Sequence, residues 1–172
     1  MNIKEKYKLA LVECKDKFAI QNVHQLPSLK KMTLCFNLGN QGTDKKFLQN
    51  VKNDMVLLTG SKPIVRNAKF SDAALKIREG QPLSVICTLR GKKMFHMLDK
   101  LVYIALPRLR DFRGLNKNFD RDGNFTITLP GDSSIFYEVN FLVDLNICCR
   151  ISSSSKEKSL LLLSKINLPF SL

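Results

Sequence analysis

Apolar residues recur along the chain with two different periods. Tyr7, Leu11, Cys14 and Phe18 fall at helical spacing, with lysines on the remaining positions, and predict an amphipathic helix. Pro27 ends the connection that follows. The stretch "KKMTLCFNLG" then alternates, with Met32, Leu34, Phe36 and Leu38 on one side and Thr33, Cys35 and Asn37 on the other, the pattern of a half-buried strand. "GNQGT" reads as a turn with Thr43 as the cap of a second helix. That helix carries Phe47, Val51, Met55 and Leu58 on one face and stops at Gly60. Residues 61–82 are polar and basic, and predict short strands and a mobile loop. "LSVICTLRG" alternates again, with Leu83, Val85, Cys87 and Leu89 toward the core and Ser84, Ile86, Thr88 and Arg90 away from it. In "KKMFHMLDKLVYIALP", Met94, Leu98, Leu101 and Ala105 are in helical register, and Pro107 closes the helix. "GNFTITL" and "VNFLVDLNICC" are two further alternating strands, the second with Val139, Phe141, Val143, Leu145 and Ile147 on its apolar side. Ser154 and Glu157 have capping-box spacing at the head of the last helix.

Strands of a parallel sheet, buried on both faces, would read as continuous apolar runs. These strands alternate, so the expected fold is α+β: a mainly antiparallel sheet with helices packed on one face, a single two-layer domain over residues 1–172. The other face, carrying Thr33, Asn37, Thr88 and Arg90, would be open, flat and slightly basic, a surface suited to a nucleic-acid backbone.

Charge sharpens this picture. Twenty-eight Lys and Arg face fifteen Asp and Glu, a formal +13 with a pI near 9.7. Such an excess repels itself unless a polyanion neutralises it. It is also uneven: residues 62–113 hold twelve Lys and Arg against four acids, whereas residues 120–149 hold one Arg against five acids. Within the basic stretch, "PRLRDFRGLN" crowds Arg108, Arg110 and Arg113 around Asp111. One aspartate pairs with one or two of them, and the planar guanidinium fork suits phosphate oxygens for the rest. Phe70, Phe112 and Phe119 lie in or beside this stretch, available either to stack on bases or to pack beneath the loops.

Other chemistries find little support. Five scattered cysteines without a CxxC pair read as free, mostly buried thiols in a reducing compartment. His24 and His96 stand alone and supply neither a metal cluster nor a base. "GNQG" lacks the glycines or the GK[ST] of a nucleotide loop, and "FDRDGNF" fits an Asp-Gly turn better than a cation loop. The start "MNIKEKYKLALVECK" has no signal-peptide core, so the chain is expected to work where it is made or after loss of a presequence. The longest pure apolar run, Leu160 to Leu163, is far short of the roughly 20 residues a span needs. No enzyme activity, metal or cofactor is expected.

Four consecutive stretches, "KPIVRNAKFSDAALKIREGQP", "TLRG", "ALPRLRDFRGLN" and "FDRDGNFTI", resemble signatures of the universal large-subunit ribosomal protein five family (bacterial ribosomal protein L five), and the similarity runs over almost the whole chain. The resemblance implies a noncatalytic component of the central protuberance that binds large-subunit rRNA and 5S rRNA, approaches the P-site tRNA and touches a small-subunit protein at an intersubunit bridge. Thr88 matches a family threonine that meets 5S rRNA, Cys35 falls where the family has an RNA-contacting asparagine, and Ser61 falls where bacterial members have a glutamine. Two of three polar contacts to 5S rRNA are thus shortened or lost, so 5S rRNA is held differently or is missing from this ribosome. The expected rRNA-binding residues are Thr33, Cys35, Asn37, Ser61, Lys62, Arg66, Thr88, Arg90, Arg108, Arg110 and Arg113. The loop from Lys69 to Gln81 resembles the segment that reaches the tRNA elbow, with Lys69, Lys76 and Arg78 as its phosphate contacts. The eroded 5S face, the cysteines and the Lys/Asn/Phe/Ile-rich spelling suggest a divergent mitochondrial member, with the bacterial cytoplasm or a plastid as alternatives. A competing reading is a basic protein- or membrane-surface-interaction module, which would need one helix with an apolar and basic outer face.

Overall fold

The computed structural model describes residues 3–110, 112–131, 135–136, 143–153 and 155–171. Three long helices and one shorter one accompany five strands: α1 (Ile3–Lys17), β1 (Ser28–Asn37), α2 (Lys45–Thr59), β2 (Ile64–Asn67), β3 (Pro82–Leu89), α3 (Gly91–Lys100 and its continuation), β4 (Phe125–Leu129), β5 (Leu145–Ser152) and α4 (Lys156–Lys165). The strands form one antiparallel sheet in the order β2-β3-β1-β5-β4, so the α+β class read from alternation is the class observed. Two compact units divide the chain, and strands β1, β4 and β5 contribute residues to both.

The first unit comprises Met1–Met32, Arg90–Ile127 and Cys148–Leu172. Helix α1 packs against α3 and α4. Ile3, Ala10 and Cys14 are the residues it buries, while Tyr7 is half-buried, with its ring 5.3 Å from that of Phe95 and its hydroxyl accepting the Leu29 N–H at 3.1 Å. The Tyr7 phenol is accordingly pushed above its usual pKa, mainly by burial. Met94, Met97, Leu98, Leu101, Ala105 and Leu106 build the centre of this core from α3. Pro107 does not close that helix as its position suggested. After Lys100 the chain widens into a π-helical stretch, Leu101–Ala105, and then begins a fresh α-turn, Leu106–Arg108, near whose start Pro107 sits. A proline there gives up an N–H that needs no intrahelical partner.

The second unit comprises Thr33–Leu89 and Thr128–Ile147. Helix α2 lies on β3 and buries Val51, Met55 and Leu58, with Phe47 only half-buried. Gly60 ends it in left-handed conformation, its N–H donating to the Val56 carbonyl at 2.7 Å. The cap is Asp44 rather than Thr43, and its carboxylate accepts the Lys46 N–H at 2.9 Å. Thr43 is still inside the short 3-10 turn Gly39–Thr43, whereas Asp44 already has the extended backbone a cap requires. Likewise α4 is capped by Ser155, one residue beyond the expected Ser154, which lies outside the described residues. Val139 and Phe141 also lie outside them, but Val143 is buried just ahead of β5, and Leu145, Ile147, Cys149 and Ile151 all face inward along it.

Burial alternates along β1, where Met32, Leu34 and Phe36 are fully enclosed and Thr33 and Cys35 half-exposed. On β3 it holds for Val85, Cys87 and Leu89, while Leu83, at the strand's start, is half-buried. Cys148 and Cys149 point to opposite sides as strand neighbours must, and burial pushes the Cys149 thiol up to about 12. Cys14, Cys87 and Cys149 are buried and all five cysteines are free.

The 3-10 turn before α2 is threaded tightly against β3. A Cβ added at Gly42 would sit 2.0 Å from the Pro82 carbonyl oxygen, a backbone atom that cannot swing away. Gly42→Ala is therefore expected to destabilise the fold by about 1–3 kcal/mol, read as a lower urea midpoint at unchanged slope.

Candidate nucleic-acid interface

In the second unit the alternation of β1 and β3 gathers one set of side chains on the side of the sheet away from the buried residues. Thr33, Cys35 and Asn37 come from β1, and Ser84, Ile86 and Thr88 from β3. Pairing of β2 with β3 sets Arg66 opposite Ser84 and Ile64 opposite Ile86 on the same face. Lys62, Arg66, Asn37 and Thr88 are exposed, while Ser61 is half-buried just before β2. The Cys35 thiol donates to Asn37 Oδ1 at 3.4 Å, and it is kept protonated by burial, which raises its pKa against a smaller lowering from a hydrogen bond with Ser84. That bond occupies the Asn37 carbonyl oxygen and leaves its amide N–H groups available as donors. On β5, the buried Oδ1 of Asn146 has no hydrogen-bond partner. Arg90, expected on this face, directly follows β3 with an extended backbone, is exposed, and is the N-cap residue of α3 in the first unit.

Residues 68–81 form a closed loop with its own framework. Its neck is shut by Ala68 N–H to Gln81 carbonyl at 2.8 Å and Gly80 N–H to Ala68 carbonyl at 3.0 Å. A bridge joins Asp72 and Ile77, and the Asp72 carboxylate accepts the Ala74 N–H at 2.9 Å. Ser71 Oγ accepts the Glu79 N–H at 2.9 Å. Lys69, Lys76 and Arg78 all project into solvent from this framework, Lys76 from a left-handed backbone with φ of 55°. Phe70, 81% exposed, stands among them rather than packing beneath the loop.

The arginine segment belongs to the first unit. It leaves α3 at Leu109, whose backbone is extended, and is pinned again at Leu115. There the Leu115 N–H donates to the Pro169 carbonyl at 2.8 Å and the Leu115 carbonyl accepts the Ser171 N–H at 3.0 Å. Arg110 and Arg113 are exposed, and neither forms an ion pair with a described residue; Arg108 is half-buried, and Asp111 lies outside the described residues. Phe112 is half-buried, and Phe119 packs with Phe125 and Phe170 at centroid distances of 5.0 and 5.9 Å.

Two family profiles match the chain: one described as ribosomal protein L5 over residues 22–78, the other as the C-terminus of that same ribosomal family over residues 82–170. The chain belongs to the ribosomal protein L5 family. The large ribosomal subunit protein uL5 of Spiroplasma kunkelii is 38% identical over 99% of this chain and 98% of its own length. That of Leifsonia xyli is 39% identical over 98% of the chain and 89% of its own length, and the uL5c of Porphyra purpurea is 36% identical over 99% and 97%. L5 proteins are structural ribosomal proteins rather than enzymes.

Nothing in the site contradicts that membership. Among the described residues no group of three or more His, Cys, Asp or Glu could hold a metal ion. In "FDRDGNF", Asp120 accepts the Asn124 N–H at 2.9 Å and the Asn124 side-chain amide at 2.7 Å, which holds its carboxyl below the usual range. It is a turn, as its Asp-Gly pair suggested. Helix α3 spends its apolar stripe on the core, and no described helix is long and apolar enough to cross a membrane. The sequence did not single out Ile64 and Asn146. Ile64 would have needed the strand register, and Asn146 had a signal only as a polar position within "DLNICC".

The pin that closes the arginine segment demands glycine. Gly114 has φ of +109°, and a Cβ there would lie 2.7 Å from the Ser171 backbone nitrogen. Gly114→Ala should cost about 1–3 kcal/mol and speed amide exchange at Leu115 and Ser171 first, before β1 or β3 is affected.

Proposed function

We propose that this protein is a structural component of a large ribosomal subunit that holds rRNA against two basic surfaces, the sheet face of the second unit and the arginine segment of the first. One observation carries the reading: most cations of residues 62–113 are exposed, while Asp72 and Asp99 are occupied by backbone N–H groups. Lys62, Arg66, Lys69, Lys76, Arg78, Arg90, Arg110 and Arg113 are exposed. Asp72 accepts backbone N–H groups within its own loop, and Asp99 accepts the Ile3 N–H at 3.2 Å. The positive field is left for an external polyanion, and a phosphate backbone supplies one at regular spacing. Arg108, Arg110 and Arg113 bind rRNA phosphates, and Asp111 orients one of them.

The sheet face contacts rRNA in the central protuberance through Thr33, Cys35, Asn37, Ser61, Lys62, Arg66 and Thr88, with Arg90 adding a phosphate contact. If 5S rRNA is present, Asn37 and Thr88 are the exposed polar groups of this face that contact it. The loop bearing Lys69, Lys76 and Arg78 approaches the P-site tRNA, and a small-subunit protein is met at an intersubunit bridge. The ribosome is mitochondrial in this reading, which rests on the cysteines and the eroded 5S face; the bacterial cytoplasm and the plastid are the alternatives.

The test is the salt dependence of rRNA binding. Replacing Arg110 or Arg113 by Gln should reduce the slope of log K against log salt by about 0.7–0.9 for each phosphate contact removed, without changing which RNA is preferred. Association that is insensitive to salt, or slopes unaltered by both replacements, would contradict the reading.

A further inference from the structure

The first unit contains a groove of about 600 Å³ between the end of α1, the 117–119 segment and α4. Its floor is apolar: Phe18, Phe119, Leu160 and Leu161, all half-buried. Its rim is cationic: Lys17, Lys117, Lys156 and Lys165 line it, with Glu157 the one carboxylate in the lining. Lys165 is paired with Glu13 across α1 and α4, whereas Lys17, Lys117 and Lys156 form no salt bridge with a described residue. An apolar centre inside a charged rim is the anatomy of a protein-binding pocket.

We infer that this groove docks an acidic segment of another protein, one that inserts an aliphatic or aromatic side chain between Phe18 and Leu161 and sets flanking carboxylates against Lys17, Lys117 and Lys156. The sign of the rim selects an acidic partner. The floor selects a peptide over RNA. A base would need a free ring to stack on. Phe119 is already packed with Phe125 and Phe170, and the Lys158 ammonium sits 5.7 Å from the Phe18 ring centre. The lining also holds little to read a base edge: its one hydroxyl, Ser164, spends its proton on the Leu161 carbonyl at 2.9 Å. Ammonium groups on flexible stems suit carboxylates that approach from several directions. The surface is separate from the residues assigned to rRNA above, so its failure would leave that assignment standing.

Fluorescence anisotropy on the full-length protein tests it. The probe is a labelled amphipathic peptide of Glu and Asp with Leu and Phe at helical spacing; the control peptide has the same composition with its apolar residues dispersed. Saturable binding of the probe, and much weaker binding of the control, are expected. Lys117→Glu combined with Lys156→Glu should weaken the probe about tenfold or more, while Lys45→Glu with Lys46→Glu, an equal charge change on α2, should weaken it far less. Glutamate at position 156 also suits the first turn of α4, so that variant should keep its fold, which an unchanged thermal midpoint would check. Leu161→Ala should weaken the probe without altering net charge. The inference is overturned if the probe does not saturate, if both charge pairs act equally, or if oligouridine rather than the peptide shows the dependence on Lys117 and Lys156.

Discussion

The structure depends on how its aspartates are used. Asp44 caps α2, Asp72 ties the 68–81 loop, Asp99 holds the first N–H of α1, Asp120 closes its turn on Asn124, and Asp144 accepts the Gly131 N–H at 3.0 Å. Each satisfies hydrogen-bond donors that would otherwise be left without a partner, mostly at the end of an element or in a turn. The cost is electrostatic. Carboxylates committed to these donors, and spread over both units, leave few to pair with lysines and arginines among the described residues. The net charge of +13 is therefore displayed rather than neutralised. A fold so arranged would gain stability from any polyanion that covered these surfaces.

The scaffold gives those surfaces definite shapes. Alternation on β1 and β3 sorts polar from apolar without any further device, because one buried side fixes the register of every outward residue. The loop bearing Lys69, Lys76 and Arg78 needs more, and obtains it from a two-bond neck and from side chains that accept its N–H groups. The arginine segment is the shortest arc of the three, held by α3 on one side and by the Leu115 pin on the other. A backbone held in this way has less freedom left to lose when a ligand binds, which lowers the entropic cost of association.

Much of this was legible in the sequence. Alternation in "KKMTLCFNLG" and "LSVICTLRG" named Met32, Leu34 and Phe36 on β1, though not Leu29, and every buried residue of β3, because period two leaves no freedom once one side is buried. Helical spacing placed Met94, Leu98, Leu101 and Ala105 together, yet could not foresee the π-helical stretch that lets Pro107 open a new turn. The caps at Asp44 and Ser155 were each missed by one residue, since neighbouring positions carry equally good capping side chains and only the backbone dihedrals choose between them. The pin between Leu115 and the Pro169–Ser171 segment and the lysine-rimmed groove join residues far apart in sequence, where periodicity carries no signal. The outward-facing cations, by contrast, were read from composition alone, since charged groups without partners have little choice but to face water.

The most direct test of uncompensated charge is the thermal unfolding midpoint of the RNA-free protein as sodium chloride rises from about 0.01 to 1 M, over which the screening length falls from about 30 to 3 Å. Dominant self-repulsion predicts a midpoint that climbs steadily with salt, and an added rRNA fragment that raises the midpoint at low salt but not at high salt. A midpoint that falls as salt is added would show that attractive ion pairs within the protein outweigh repulsion, and would contradict the account.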